Sequence, residues 1–260
     1  MSHRLGLTWR GWCALGAGMV ALGVAVVVLG GVSEDVTQHN GLARSDPSHL
    51  RFFAEHRPGL LVQAARIASD FGNVAILALV AIGAGLLLWR RGLPVAMAVA
   101  PAFALGASAL LADVAKQIVD RGRPPMPLRL VVEGDPSFPS GHATDTTAVH
   151  LTLGLVLAVF VFRRPLVRIA VVAGSGALAA AIGASRLVLG VHWPSDVLAG
   201  WALGATVALG VTIAATLLIG LMPTDLKPPR GRLSRAAVLV GRALTLERRP
   251  TRHRARLQAA

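Results

Sequence analysis

The chain has 260 residues, 54% of them hydrophobic and only 15% charged, with a formal net charge of +13. A water-soluble domain carries about 25% charged residues, so an ordinary solvated surface is excluded. The single cysteine, Cys13, excludes an internal disulfide and is too isolated for a zinc site; in its apolar run it reads as a small buried residue.

Six apolar segments follow one another, at residues 12–31, 73–89, 93–115, 143–162, 167–185 and 197–221. Each falls near the about 17 to 25 residues that cross a hydrocarbon core, and all are rich in Gly and Ala, which lets membrane helices approach closely. Arg4 and Arg10 precede the first, as in a signal peptide. Its apolar stretch is longer than a signal core and no clear small-residue cleavage site follows, so a retained helix is expected. After Val32 comes a long loop of mixed charge. Its later part places Leu60, Leu61, Ala64, Ile67, Ala68 and Phe71 at helical spacing, which fits an interfacial helix or an early start to the second span. The expected fold is an all-α polytopic bundle of six transmembrane helices over residues 1–222, with a basic tail over 223–260.

Charge orients the bundle. Arg90 and Arg91 follow the second segment, Arg163, Arg164 and Arg168 follow the fourth, and the tail carries Lys227 and nine arginines against Asp225 and Glu247. With six spans, these regions and the N-terminus share one side, which the bias of Lys and Arg makes cytoplasmic. The expected location is the cytoplasmic membrane, multi-pass, with both termini inside. The tail reads as a solvated segment near anionic lipid rather than a nucleic-acid site.

The opposite face receives two loops of unusual chemistry. The first begins KQIVDRGRP at Lys116 and closes with SFPSGH at His142, and the second reads SRLVLGVHWPSD from Ser185 to Asp196. Alternation of spans alone brings Lys116, Arg121, Arg123, Arg186, Ser140, His142 and His192 to one end. Arg presents a rigid fork of donors matched to phosphate oxygens, and Lys adds a point charge. Gly141 opens a helix whose N–H groups and dipole suit an anion. Pro139 stiffens the approach and Ser140 adds a hydroxyl. A histidine there can attack phosphorus or move a proton near neutral pH. If residues 192–196 are helical, Asp196 shares a face with His192 and can fix its tautomer. Any one of these cations at a membrane boundary is as well explained by snorkelling. Three short motifs converging on one face are not.

The set K-x6-R-P, P-S-G-H and S-R-x5-H-x3-D resembles the signature of the type 2 phosphatidic acid phosphatase family, which includes the vanadium-dependent haloperoxidases. Lys116, Arg123 and Pro124 match the first motif, Pro139 to His142 the second, and Ser185, Arg186, His192 and Asp196 the third, with every spacing intact. The resemblance implies a lipid phosphatase with His192 as nucleophile through a phosphohistidine, Asp196 orienting it and His142 as general acid. It implies that Lys116, Arg123, Arg186, Ser140 and the Gly141 N–H hold the phosphoryl oxygens. Arg121 lies outside the motif and is a possible helper. Few acids stand near the motifs, so neither a metal nor another cofactor is expected. The expected partner is a lipid phosphate held in the bilayer: a polyprenyl diphosphate, phosphatidic acid or phosphatidylglycerol phosphate. An outward-facing site inclines the reading towards the first, as in recycling of a carrier lipid. Oligomeric state is not legible.

Other polar residues invite structural readings. Asp113, three residues before Lys116, is placed to pair with it. Asp145 and His150 are expected to be satisfied within the bundle. Trp12, Trp89 and Trp193 fall at span boundaries and read as interface anchors. Two rivals stand beside the phosphatase: a haloperoxidase using bound vanadate, against which the spans argue, and a lipid-phosphate binder or transporter, which has no need of a nucleophile.

Overall fold

The computed structural model describes residues 9–221. Arg4 and the basic tail expected over 223–260 lie outside them. Every regular element among the described residues is helical: α1 (Trp9–Gln38), α2 (Gly41–Glu55), α3 (Gly59–Phe71), α4 (Val74–Arg90), α5 (Val95–Val119), α6 (Gly141–Val156), α7 (Pro165–Val188) and α8 (Pro194–Leu221), with a short 3-10 turn at Met126–Leu128. A π-helical stretch, Leu157–Val161, prolongs α6.

Five of these helices are long and apolar enough to cross a bilayer, and α3 with α4, bent by 54° at Gly72 and Asn73, are together long and apolar enough for a sixth, as a broken span or a re-entrant pair. The chain is therefore a multi-pass membrane protein. Val27, Leu79, Phe103 and Leu166 stand exposed around the bundle, as lipid-facing side chains do. The loop after Val32 is more ordered than its composition suggests. It continues α1 to Gln38, then forms α2, with Pro47 inside it, and α3. The two readings of residues 60–71 thus merge: a helix that leads into the second span at an angle.

Breaks in the helices fall at residues suited to them. The Asn73 side chain accepts the Ala75 N–H at 2.9 Å and starts α4. Asp120 ends α5 in the left-handed region (φ 42°), which a short polar side chain tolerates, and sends Arg121 and Arg123 away from the helix axis. Pro165 and Pro194 open α7 and α8 at the first helical turn, where no N–H is missed.

Helix α6 is the hub, packed against α8, α7 and α5. Small residues set the spacing. A Cβ on Gly200 would stand 2.8 Å from the Ser140 carbonyl, and one on Gly204 2.4 Å from the Thr144 carbonyl. So α8 lies backbone against backbone on α6 at the level of the second and third motifs. A main-chain bond from Ser140 N–H to the Asp196 carbonyl at 3.0 Å ties the two helix starts together. Leu77, Ala81, Leu105 and Val149 fill the space between α4, α5 and α6.

Candidate active site

The three motifs meet at the end of the bundle where α5 and α7 finish and α6 and α8 begin. Lys116 lies in the last turn of α5 and Arg186 in the last turn of α7, so both belong to helices rather than to the loops expected to hold them. Arg121 and Arg123 follow the α5 cap. Ser140 stands at the N-cap of α6, with Gly141 and His142 in its first turn. A Cβ on Gly141 would lie 3.6 Å from Lys116 Nζ, so this helix start faces the lysine. His192 precedes α8 and is not helical, yet its Nδ1 still lies 3.4 Å from Asp196 Oδ2. That contact is long for a well-formed hydrogen bond. The other contacts of Asp196 fix it: Oδ2 accepts the Trp193 N–H at 2.9 Å and Oδ1 accepts Arg121 Nη1 at 2.5 Å.

Two carboxylates outside all three motifs occupy the centre. Glu133 and Asp135, in the loop between the first and second motifs, draw in the three motif cations. Lys116 Nζ donates to Asp135 Oδ2 and Arg186 Nη2 to Glu133 Oε1. Arg123 donates through Nη2 to Asp135 Oδ1 and through Nε to the Asp135 carbonyl, both at 2.7 Å. Its Nη1 reaches the Val191 carbonyl at 2.9 Å and His192 Nε2 at 3.2 Å. Arg186 Nη1 donates to Ser69 Oγ of α3 at 2.5 Å. Three cations from separate segments are thus focused on one anionic spot beside the His192 ring.

This corrects one pairing. Lys116 turns inward to Asp135, and Asp113 is exposed on α5 instead of bonding to it. The loop carboxylate is shared with Arg123, which the helical neighbour has no way to match. Trp193 is also more than an interface anchor: its Nε1 donates to the Gly122 carbonyl at 2.9 Å, and its ring lies 5.6 Å from the Arg121 guanidinium. Trp12 and Trp89 are exposed, as expected of residues at a bilayer boundary. Asp145 and His150 are each satisfied locally, Asp145 Oδ1 by the Ser108 hydroxyl at 2.7 Å and His150 Nδ1 at the Thr146 carbonyl at 2.9 Å.

Charge and burial shape the site further. His192 is 2% exposed. Burial holds its imidazole below the ordinary range, Asp196 pulls it back in part, and Arg123 and Arg186 push it down again. The neutral ring is therefore the resting form at neutral pH. Asp135 is shifted the other way. Partial burial works against its charge, but Lys116 and Arg123 overcome this and lower its pKa to about 2. The cationic groups of Arg186, Lys116 and Arg123 all act on the His142 ring. Among the described residues, Ser140 Oγ, Arg186 Nε and His192 Nδ1 at the site, and Thr152 Oγ1 away from it, are buried with no hydrogen-bond partner. Unmet donors beside a cationic cluster suit an anion with several oxygens. His142 is held by the α3–α4 bend, since a Cβ on Gly72 would lie 2.8 Å from its Cδ2.

Residues 97–218 match the PAP2 superfamily. The chain is 41% identical over 156 residues to the decaprenylphosphoryl-5-phosphoribose phosphatase of Mycobacterium tuberculosis, covering 58% of this chain and 78% of that one. It is 33% identical over 129 residues to the phosphatidylglycerophosphatase B of Bacillus subtilis, covering 48% and 60%. Its fold is similar to the crystal structure of a transmembrane PAP2-type phosphatidylglycerolphosphate phosphatase from Bacillus subtilis, with a TM-score of 0.62 and 23% identity over 75% of this chain and 93% of that one.

Proposed function

The chain belongs to the PAP2 superfamily as a membrane lipid phosphatase, and we propose that it removes a terminal phosphate from an isoprenoid lipid through a phosphohistidine at His192. The observation that carries this is the convergence of Lys116, Arg123 and Arg186 on one anionic spot, with His192 Nε2 3.2 Å from Arg123 Nη1. In this reading Nε2 attacks phosphorus and the bond from phosphorus to the lipid oxygen breaks, with His142 giving that oxygen its proton. Water, relieved of a proton by His142, then cleaves the P–N bond and releases inorganic phosphate. Lys116, Arg123, Arg186, Ser140 Oγ and the Gly141 N–H hold the non-bridging oxygens, and Asp196 keeps Nδ1 protonated so that Nε2 carries the lone pair. Phosphoryl transfer rests largely on positioning and charge stabilisation, which these residues supply.

In the same reading the site faces the extracytoplasmic side. Arg90, Arg91, Arg163, Arg164 and Arg168 lie in the turns at the other end of the bundle, where the bias of basic residues marks the cytoplasm. The residues up to 222 form the catalytic domain and the remainder a basic tail. An isoprenoid substrate is preferred because the Mycobacterium relative is named for a decaprenyl lipid bearing a phosphorylated sugar; the sugar phosphate is a monoester, so the choice moves from diphosphate to monoester.

Phosphate release from a panel of decaprenylphosphoryl-5-phosphoribose, undecaprenyl diphosphate, phosphatidic acid and phosphatidylglycerol phosphate tests the reading. The expected result is fastest turnover of the first, unaffected by EDTA and blocked by vanadate. Loss of activity in EDTA, restored by a divalent ion, would overturn the cation-only site.

Glu133 and Asp135 stand where phosphoryl oxygens would bind, so substrate must displace them. Asp135→Asn is expected to lower KM and the inhibition constant for inorganic phosphate together, by about two- to fivefold, the worth of a half-exposed ion pair. The sign with pH follows from its lowered pKa. The contact is complete above the ordinary carboxylate value and is lost only as pH falls through about 2, so mild acid does not relieve the competition. A KM that rises in Asp135→Asn would mean the carboxylate assists binding.

A further inference from the structure

We propose that Asp46, on α2 and outside all three motifs, is a positioning residue that works through Arg121 to keep the Asp196 carboxylate aligned beside His192 without its charge being cancelled by the guanidinium. The proposal rests on His192 being the nucleophile. Asp46 is 1% exposed although α2 is largely polar. Both its oxygens are engaged at the start of α8. Oδ1 accepts the Ser195 N–H at 3.0 Å, and Oδ2 accepts the Ser195 hydroxyl at 2.5 Å and Arg121 Nη2 at 2.7 Å. The other arm of Arg121, Nη1, donates to Asp196 Oδ1 at 2.5 Å and to Ser195 Oγ at 2.7 Å. Asp196 presents its second oxygen to the Trp193 N–H and to His192 Nδ1. A continuous line of contacts therefore runs from α2 to the imidazole.

Charge explains why two carboxylates are needed. A guanidinium bonded to Asp196 alone would cancel the charge that His192 needs once phosphorus bonds to Nε2 and the ring becomes cationic. Asp46 shares the guanidinium. The set Asp46, Arg121 and Asp196 then carries one net negative charge, directed at Nδ1. Asp46 also satisfies the Ser195 N–H, one of the free donors in the first turn of α8, and so fixes that turn from across the fold. Partners one step removed from a reacting group commonly change activity by about 10- to 100-fold.

A merely anchoring Asp46 would hold α2 to the bundle and nothing more. The test uses the full-length protein in lipid nanodiscs with the isoprenoid phosphate panel, comparing Asp46→Asn, Asp46→Glu and Arg121→Gln with the parent. Asp46→Asn keeps the shape and one acceptor while removing the charge. It is expected to lower kcat by about 10- to 100-fold with KM within about twofold, and to slow phosphoenzyme formation in a rapid quench. Asp46→Glu should recover part of the loss. The pair Asp46→Asn and Arg121→Gln should be less than additive, since both act on one carboxylate.

The pH profile separates the roles. His192 is faced by Asp196 of α8, Arg186 of α7, Arg123 after α5 and His142 of α6, with Arg121 and Asp46 behind Asp196. Removing the Asp46 charge disfavours the imidazolium, so the acid limb of kcat/KM should move to lower pH. A kcat and acid limb like the parent's, or a fall in activity that only follows a fall in thermal stability, overturns the proposal. Failure of the underlying reading would look different: no phosphoenzyme would form in the parent either.

Discussion

His192→Ala should abolish turnover of every lipid phosphate, with kcat lower by roughly 10⁴-fold or more, on the scale of removing an enzymic nucleophile. The geometry makes the effect specific to the chemical step. The ring is buried, its Nδ1 is turned to Asp196, and its Nε2 lies 3.2 Å from the Arg123 guanidinium that would hold a phosphoryl oxygen. Alanine removes the attacking nitrogen but leaves Lys116, Arg123 and Arg186 in place. Inorganic phosphate should still bind to the variant, detected by its protection against thermal unfolding. Rapid acid-free quenching of the parent should trap a phosphoryl group on His192, located by mass spectrometry of the peptide. Substantial turnover by His192→Ala would end the phosphohistidine reading. The acid limb of kcat/KM in the parent should fall below the ordinary imidazole value of about 6.5, because burial disfavours the protonated ring and only the neutral ring attacks.

His142→Ala should lower kcat for a lipid alkyl phosphate by about 10²- to 10⁴-fold, the usual contribution of a general acid, and by far less for p-nitrophenyl phosphate. An alkoxide needs a proton as it leaves and p-nitrophenolate does not. His142 lies in the first turn of α6, within reach of the charges of Lys116, Arg123 and Arg186, and its ring packs against Gly72 at the bend between α3 and α4. Removing the ring there leaves Lys116 on α5, Arg186 on α7 and Arg123 in the loop after α5 in place. The measurement is the ratio of the two losses. Equal losses for both leaving groups would assign His142 to binding or structure and move the acid elsewhere.

Much of this was legible in the sequence because the bilayer imposes a coarse code. Spans of membrane length had to alternate direction, so Lys116, His142, Arg186 and His192 had to share an end, and the fold brings their segments together. Helix limits were less legible. Arg186 reads as a loop residue because hydropathy falls at Ser185, yet α7 continues to Val188, as a helix end buried among protein neighbours is free to do. The second span is preceded by a bent helix because Gly72 allows close contact with His142 and Ile182, a constraint that no periodicity records. The illegible parts are contacts between segments far apart in the chain. Asp46 meets Ser195 across 149 positions, and Glu133 meets Arg186 across 53. Neither acid stands in a motif, and the loop that carries Glu133 and Asp135 has no regular structure apart from the short turn at Met126–Leu128. Lys116 shows the error this causes: local spacing favoured Asp113, while the fold supplies Asp135.

The two loop carboxylates make the site resemble an ion exchanger supplied with its counter-ion already bound. Lys116, Arg123 and Arg186 bring three positive charges and Glu133 with Asp135 two negative ones, so the resting site carries a small excess instead of the full field of three cations. A mobile anion must outbid ligands that are covalently tethered and always at high local concentration. A lipid phosphate can do so because its chains hold it in the same membrane, whereas dilute phosphate from the surrounding water has no such tether. On the proposed site, selection between substrate and bulk anion would be set by a difference in dimensionality, a ligand confined to a surface against one free in volume, before any contact with the headgroup is made.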